Sequence, residues 1–151
     1  MIESISNMHE ARSITEFDLE KYLEESNDIN ILVHASFHSD TGTGKYRCLL
    51  LYKSHKKYIE NTVENVVSPN RTMVYGLLEA VEHINLHHVN VCVISGIYVG
   101  FKYASRNKGL YCREVKQIIH ILEAQENTVS SIAILNGMRE IKSFISKNLY
   151  D

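Results

Sequence analysis

Between the apolar run Ile31-Leu-Val33 and the apolar run Cys48-Leu-Leu-Leu51 the chain passes through His34-Ala-Ser-Phe-His-Ser-Asp-Thr-Gly-Thr-Gly-Lys-Tyr46, a polar stretch with a Gly-x-Gly turn. Two apolar runs joined in this way predict a β-hairpin with a wide, glycine-bearing loop. A third run rich in β-branched and aromatic residues follows the short Lys-Ser-His-Lys turn. Strands are therefore expected over 29–37, 46–53 and 57–67, paired as an antiparallel meander. Pro69, the only proline, ends the third strand ahead of a helix.

That helix carries the clearest period in the chain. Met73, Leu77, Val81 and Ile84 form one stripe, and Val74 and Leu78 widen it, as in a helix packed across a sheet. Val89-Asn-Val-Cys-Val-Ile94 is nearly all apolar, the pattern of a central strand covered on both faces. Ser95-Gly96 then turns into a short helix through Tyr98, Phe101 and Tyr103. Beyond the loop Arg106-Asn-Lys-Gly109, a helix over 111–126, a strand over 129–135 and a closing helix over 137–149 are expected. The element order is β-β-β-α-β-α-α-β-α.

Charge divides the 151 residues unevenly. Residues 1–28 hold eight acids and two bases, whereas 29–151 hold ten acids and fourteen bases. The chain thus reads as an acidic arm, 1–28, ahead of a mildly basic domain, 29–151. Within the arm, Ser13-Ile-Thr-Glu16 has the form of a capping box that opens a helix, with Phe17, Tyr22 and Leu23 as its apolar side. Such a helix is expected to dock on the body, on a partner or on a second copy in a homodimer. The three cysteines, Cys48, Cys92 and Cys112, are widely spaced in or beside apolar segments, which favours reduced, buried thiols over a disulfide framework. No apolar run reaches the length of a membrane span and no basic-then-apolar leader opens the chain, so a cytoplasmic protein without membrane attachment is expected.

Over roughly 29–149 the chain resembles the ribonuclease H family. The resemblance rests on Ser36, Gly42, Gly44 and Tyr46 of the hairpin, on Asn70-Arg71 at the start of the first body helix, and on Ile94-Ser-Gly-Ile-Tyr98-Val99 at the end of the fourth strand. It implies an α/β fold: a mixed five-stranded sheet with helices on both faces, here with an extra N-terminal helix. Family chemistry is phosphodiester hydrolysis by two divalent ions about 4 Å apart, held by carboxylates because Mg²⁺ prefers hard oxygen ligands. At the three aligned acid positions this sequence has His34, Met73 and Ser95. Glu140 is the counterpart of a fourth acid near the last helix. One carboxylate does not hold two Mg²⁺ ions, so the resemblance implies a domain that has lost the activity and carries no metal or cofactor.

His34, Ser36, His38 and Asp40 would share one face of a regular strand. A Zn²⁺ site would need three or four convergent ligands, and no second segment supplies them, so a hydrogen-bonded polar face is expected instead. His87-His88 is expected to cap a helix end. Gly42, Gly44, Ser68 and Asn70 are the remnants of a substrate groove that could admit a sugar-phosphate chain, and Lys102, Arg106 and Lys108 (with Arg113) form a basic cluster able to contact phosphates. The competing reading keeps the glycines for turn geometry, Asn70 for capping and the cluster as solvated surface. Tyr98, Phe101 and Tyr103 are similarly divided between base stacking and core. The first expectation is a non-enzymatic module that binds a protein partner. The alternative is a domain that binds RNA, DNA or their hybrid without cutting, and a lesser one is a nuclease that pairs His34 with an unaligned acid.

Overall fold

The computed structural model describes residues 18–97, 99, 111–134 and 137–148. Their elements, in chain order, are α1 (Leu19–Glu25), β1 (Ile29–His38), β2 (Thr43–Tyr52), β3 (His55–Val63), α2 (Pro69–Glu82), β4 (Asn90–Ser95), α3 (Cys112–Ala124), β5 (Thr128–Ala133) and α4 (Met138–Lys147). The strands form one mixed sheet in the order β3-β2-β1-β4-β5. The β1–β2 and β2–β3 pairs are antiparallel, and β1–β4 and β4–β5 are parallel. This is the α/β class expected from the sequence, with the meander and the two later strands in the expected order.

Alternation along the strands sorts the side chains into two cores. Ile29, Ile31, Val33 and Ala35 of β1 join Tyr46, Cys48 and Leu50 of β2 under α2 and α3. Leu32, Leu49, Cys92 and Ile94 face the other way, against α1 and α4. Helices thus cover both faces, and β4 between β1 and β5 is buried along almost its whole length. The free cysteines Cys48 and Cys92 lie within these two cores.

The hairpin is tighter than its sequence suggests. Its turn takes only residues 39–42, and Gly44 already belongs to β2. Gly42 causes the early closure: at φ +67° it adopts the left-handed conformation and donates its N–H to the His38 carbonyl at 2.9 Å. Its own carbonyl accepts the Val66 N–H at 3.0 Å, which ties the turn to the segment before α2. β3 stops at Val63, short of the expected residue 67.

α2 begins where Ser68 caps it, the hydroxyl accepting the Arg71 N–H at 3.1 Å, with Pro69 at the first helical position, where its missing N–H costs nothing. The helix lies close against β2. A Cβ on Gly44 would come within 2.1 Å of Thr72 Oγ1, and one on Gly76 within 2.9 Å of the Tyr46 ring. Tyr46 fills that approach and donates its hydroxyl to Glu79 on the next turn of α2.

The start of the first helix differs from the expectation. α1 starts at Leu19, with Asp18 in extended conformation accepting the Lys21 N–H at 3.1 Å. The cap expected at Ser13 and Glu16 lies outside the described residues. α1 docks on the body by apolar packing: Leu19, 2% exposed, packs with Leu32, Leu49, Ile141 and Ile145, and the Tyr22 hydroxyl donates to Cys92 Sγ at 3.2 Å. His87-His88 meets a helix end as expected, that of α3, whose C-cap is Gln125. α2 ends at Glu82 with His83 as its C-cap, while His87 Nδ1 lies 2.8 Å from the Gln125 carbonyl and the His88 N–H donates to the Glu126 carbonyl at 3.2 Å. The loop before β4 is held by the α3–β5 turn because Asn127 reaches across it, accepting from Val89 N–H at 3.1 Å and donating to the Leu86 carbonyl at 2.9 Å.

Two substitutions check these contacts by urea unfolding. Gly76→Ala gains helix propensity of about 1 kcal/mol, yet overpacking against Tyr46 should cost about 1–3 kcal/mol. The midpoint is therefore expected to fall, and a raised midpoint would show that the α2–β2 approach is not tight. Leu19→Ala should cost about 2–5 kcal/mol if α1 is part of the core. A loss within a few tenths of that of a surface substitution would show it is an appendage.

Candidate functional site

In an open α/β sheet the natural crevice lies beyond the carboxyl ends of the strands, where the strand order reverses. Here that point is between β1 and β4. Their last paired residues are Leu32 and Ile94, after which β1 continues along β2 alone while β4 ends at Ser95. The opening is bordered by His34 on β1, by Pro69, Asn70 and Met73 on the first turns of α2, by Gly96 and Ile97 after β4, and by Met138 and Ile141 on α4. The fold thus brings His34 and Met73 into one cleft, with Asn70 on its border. Ser95 is next to it but turned to local use: it is 1% exposed and its hydroxyl donates to the Ile97 carbonyl at 2.8 Å.

The cleft is closed. Its free volume is about 10 Å³, at or below the roughly 10–15 Å³ that one water needs. Met138 is the reason: a Cβ on Gly96 would lie 2.6 Å from Met138 Cγ, so the glycine leaves room for the thioether to lie across the strand end. Nothing in the sequence singled out Met138, because the first residue of a helix gives no signal of what it will cover.

The residues here do not fit the two divalent ions of the ribonuclease H resemblance. Among the described residues no carboxylate lines the cleft, and the donors there are an imidazole, a carboxamide and two thioethers, a soft and nearly neutral set where Mg²⁺ needs hard anions. Glu140 does not supply the deficit. It lies across α4 in a different depression, shared with Asp18, Leu19, Ser143 and Phe144. Burial and the neighbouring Asp18 carboxylate push its pKa up. Among the described residues no group of three or more His, Cys, Asp and Glu side chains converges.

His34 is half-buried, and burial, followed by the positive charges of Lys142 and Arg47, holds its pKa below the usual 6.5. The imidazole is therefore neutral at pH 7. Ser36 and His38 continue along the same face of β1, opposite Lys45 and Thr43 in the register, and Asp40 falls in the turn. On this face Lys45 and Arg47 approach Glu60 of β3 at 2.6 and 3.7 Å, and the two basic side chains share the one carboxylate.

The remaining groove candidates are engaged within the protein. The space left by Gly44 is taken by Thr72, Gly42 closes the turn, and the Ser68 hydroxyl caps α2. Arg71, next to Asn70, pairs with Glu114 of α3 at 2.6 Å and lies over the Tyr111 ring. Lys102, Arg106 and Lys108, with Tyr98, Phe101 and Tyr103, lie outside the described residues. No protein-family model matches this chain, and no curated protein matches it.

His34 sets a pH dependence whose sign follows from its lowered pKa. As pH falls through about 6.5 the unfolded chain takes up a proton that the folded imidazole refuses. The stability His34 contributes is present in full above 6.5 and is lost as pH falls toward its folded value. Thermal melts of His34→Gln should therefore decline less between pH 7 and pH 5 than those of the parent chain. Parallel pH profiles would show that the imidazole protonates as freely in the fold as in water.

Proposed function

We propose that this chain is a catalytically silent ribonuclease H-like domain that works as a binding module for a protein partner. The strand order, with the meander on one side and two parallel strands on the other, agrees with the resemblance carried by Ser36, Gly42, Gly44, Tyr46, Asn70 and Arg71. The observation that carries the reading is the closed cleft: His34, Met73 and Met138 fill the place where hydrolysis would need carboxylates and two ions. A protein partner is favoured by exposed apolar residues, two of them bordering the cleft and one just ahead of α2. Met138 is 41% exposed, Pro69 is exposed beside it, and Val67, two residues before Pro69, is 80% exposed. Exposed apolar side chains around a polar sheet face mark a contact surface for protein more than for phosphate.

A second reading, nucleic-acid binding without cleavage, draws on Arg47 and Lys142, which stand near His34 on the α4 side of the sheet. The two readings separate by experiment. Pure protein with Mg²⁺ or Mn²⁺ is expected to leave an RNA–DNA hybrid uncut, and to show no saturable, salt-dependent binding to hybrid, double-stranded RNA or DNA at physiological ionic strength. Val67→Asp and Met138→Asp, checked for folding by circular dichroism, are expected to lose the partner cross-linked by the parent chain. Metal-dependent cleavage that His34→Ala abolishes would overturn the proposal. Hybrid binding weakened by Arg47→Ala and Lys142→Ala, but not by Val67→Asp, would replace it with the second reading.

A further inference from the structure

At the opposite end of the sheet, α2 stops at Glu82 with His83 as its C-cap, and the chain continues through Ile84, Asn85 and Leu86 as a loop. A depression of about 360 Å³ opens between that loop, the start of β1 and the last pairs of the β2–β3 hairpin, Leu50 with Lys57 and Tyr52 with His55. Directly paired residues share a face of the sheet, and Leu50 belongs to the core under α2, so these four side chains stand on the α2 side. Ile29, Ile84 and Leu86 complete an apolar floor, on which Leu86 is 40% exposed. The loop that carries Leu86 is tied down from α3 onward. Asn127 donates to the Leu86 carbonyl at 2.9 Å, and Gln125 Nε2 donates to the carbonyls of Val81 and Ile84 at 2.9 and 3.3 Å. The wall is therefore in place before anything binds, which lowers the cost of binding.

The charge around this floor has one sign. The titratable side chains that line it with Tyr52 are His55, Lys56, Lys57 and His83, and among the described residues no acid joins them. Lys56 donates to the Asn148 carbonyl at 2.8 Å, and Lys53, beside the lining, holds its ammonium over the Tyr52 ring, 5.1 Å from the centre. The nearby acids are engaged elsewhere. Glu79 lies 3.5 Å from His83 Nε2 and also accepts from Tyr46 and Asn61. Glu82 lines a separate depression with Lys116 and His120 of α3. Lys57 is exposed on the rim, opposite Leu50. A cation here would meet ammonium groups and helix-end carbonyls already taken by Gln125, whereas a carboxylate is complementary to the rim. Apolar floor and basic rim together suit an apolar chain that ends in one anionic head.

We propose that this depression binds a small alkyl carboxylate, its chain on Leu50, Tyr52, Ile84 and Leu86 and its head at Lys57. The volume lies at the low end of the roughly 300–1,000 Å³ of small-molecule sites, which suits one short chain. The site shares no residue with the closed cleft, so it stands or falls independently of the function proposed above.

The test is a titration of the full-length ¹⁵N-labelled chain, followed through the backbone amides of His55, Lys57 and Leu86. Octanoate is compared with acetate, octyl glucoside and octyltrimethylammonium, each below its micelle concentration and at equal ionic strength. Saturable shifts with octanoate are expected, weaker binding of the uncharged glucoside, and none of acetate or the ammonium compound. Lys57→Gln, an exposed substitution on the edge strand β3, should weaken octanoate several-fold and leave the glucoside unchanged. Leu86→Asp, which sets a like charge on the floor, should abolish octanoate binding, and the unshifted amides of both variants report that the fold is kept. Absence of saturable shifts, binding of the ammonium compound or the glucoside as tightly as octanoate, or full octanoate affinity in either variant would overturn the proposal. So would an acetylated Asp-Leu-Leu-Asp peptide that saturates the same amides at lower concentration than octanoate, since the groove would then belong to a protein partner.

Discussion

The contact on which the rest depends is the close approach of α2 to β2. Two glycines make it, one on each element. Gly44 of β2 receives Thr72, and Gly76 of α2 receives Tyr46. Around them the Cys48 thiol reaches the Gly76 carbonyl at 3.4 Å, and Tyr46 and Asn61 both donate to Glu79. Burial raises the Glu79 pKa, but the hydrogen bonds from Tyr46, Asn61 and His83 outweigh it and leave the carboxylate below its usual range. A helix held this near the sheet buries its apolar stripe fully, and most of its stability comes from that packing.

The seating of α2 also decides what happens at the end of the sheet. With the helix pressed onto β2, its first turns carry Pro69, Asn70 and Met73 to the gap between β1 and β4. α4 approaches from the other face, and Met138 passes over Gly96. Two helix starts and two strand ends therefore meet at one point, which is where α/β proteins bind ligands. Among the described residues, the side chains that fill that point bring no negative charge. His34 illustrates the effect: shielded from water and flanked by Lys142 and Arg47, it is neutral and adds no charge to the site.

Much of this was legible in the residues. The stripe of Met73, Leu77 and Val81 defined α2, and the apolar run of β4 announced a strand with both faces covered, because hydrophobic period reports directly on how many sides of an element are buried. The roles of Gly44 and Ser68 were not legible. Both were compatible with a backbone open to a phosphate chain, and the fold spends one on helix contact and the other on a cap. Glu140 was placed on the correct helix but not on its face: whether it turned to His34 or to Asp18 depended on how α4 rotates against the sheet.

By itself, then, the sequence determined the α/β class and the order of the five strands and of α2, α3 and α4, since these are local properties of period and turn residues. Only the tertiary structure decided that the cleft is closed and that α1 belongs to the core. Each of these depends on which atoms from distant segments come within a few ångströms of one another. Met138 and Gly96 acquire their meaning from that proximity, and no period or spacing along the chain encodes it.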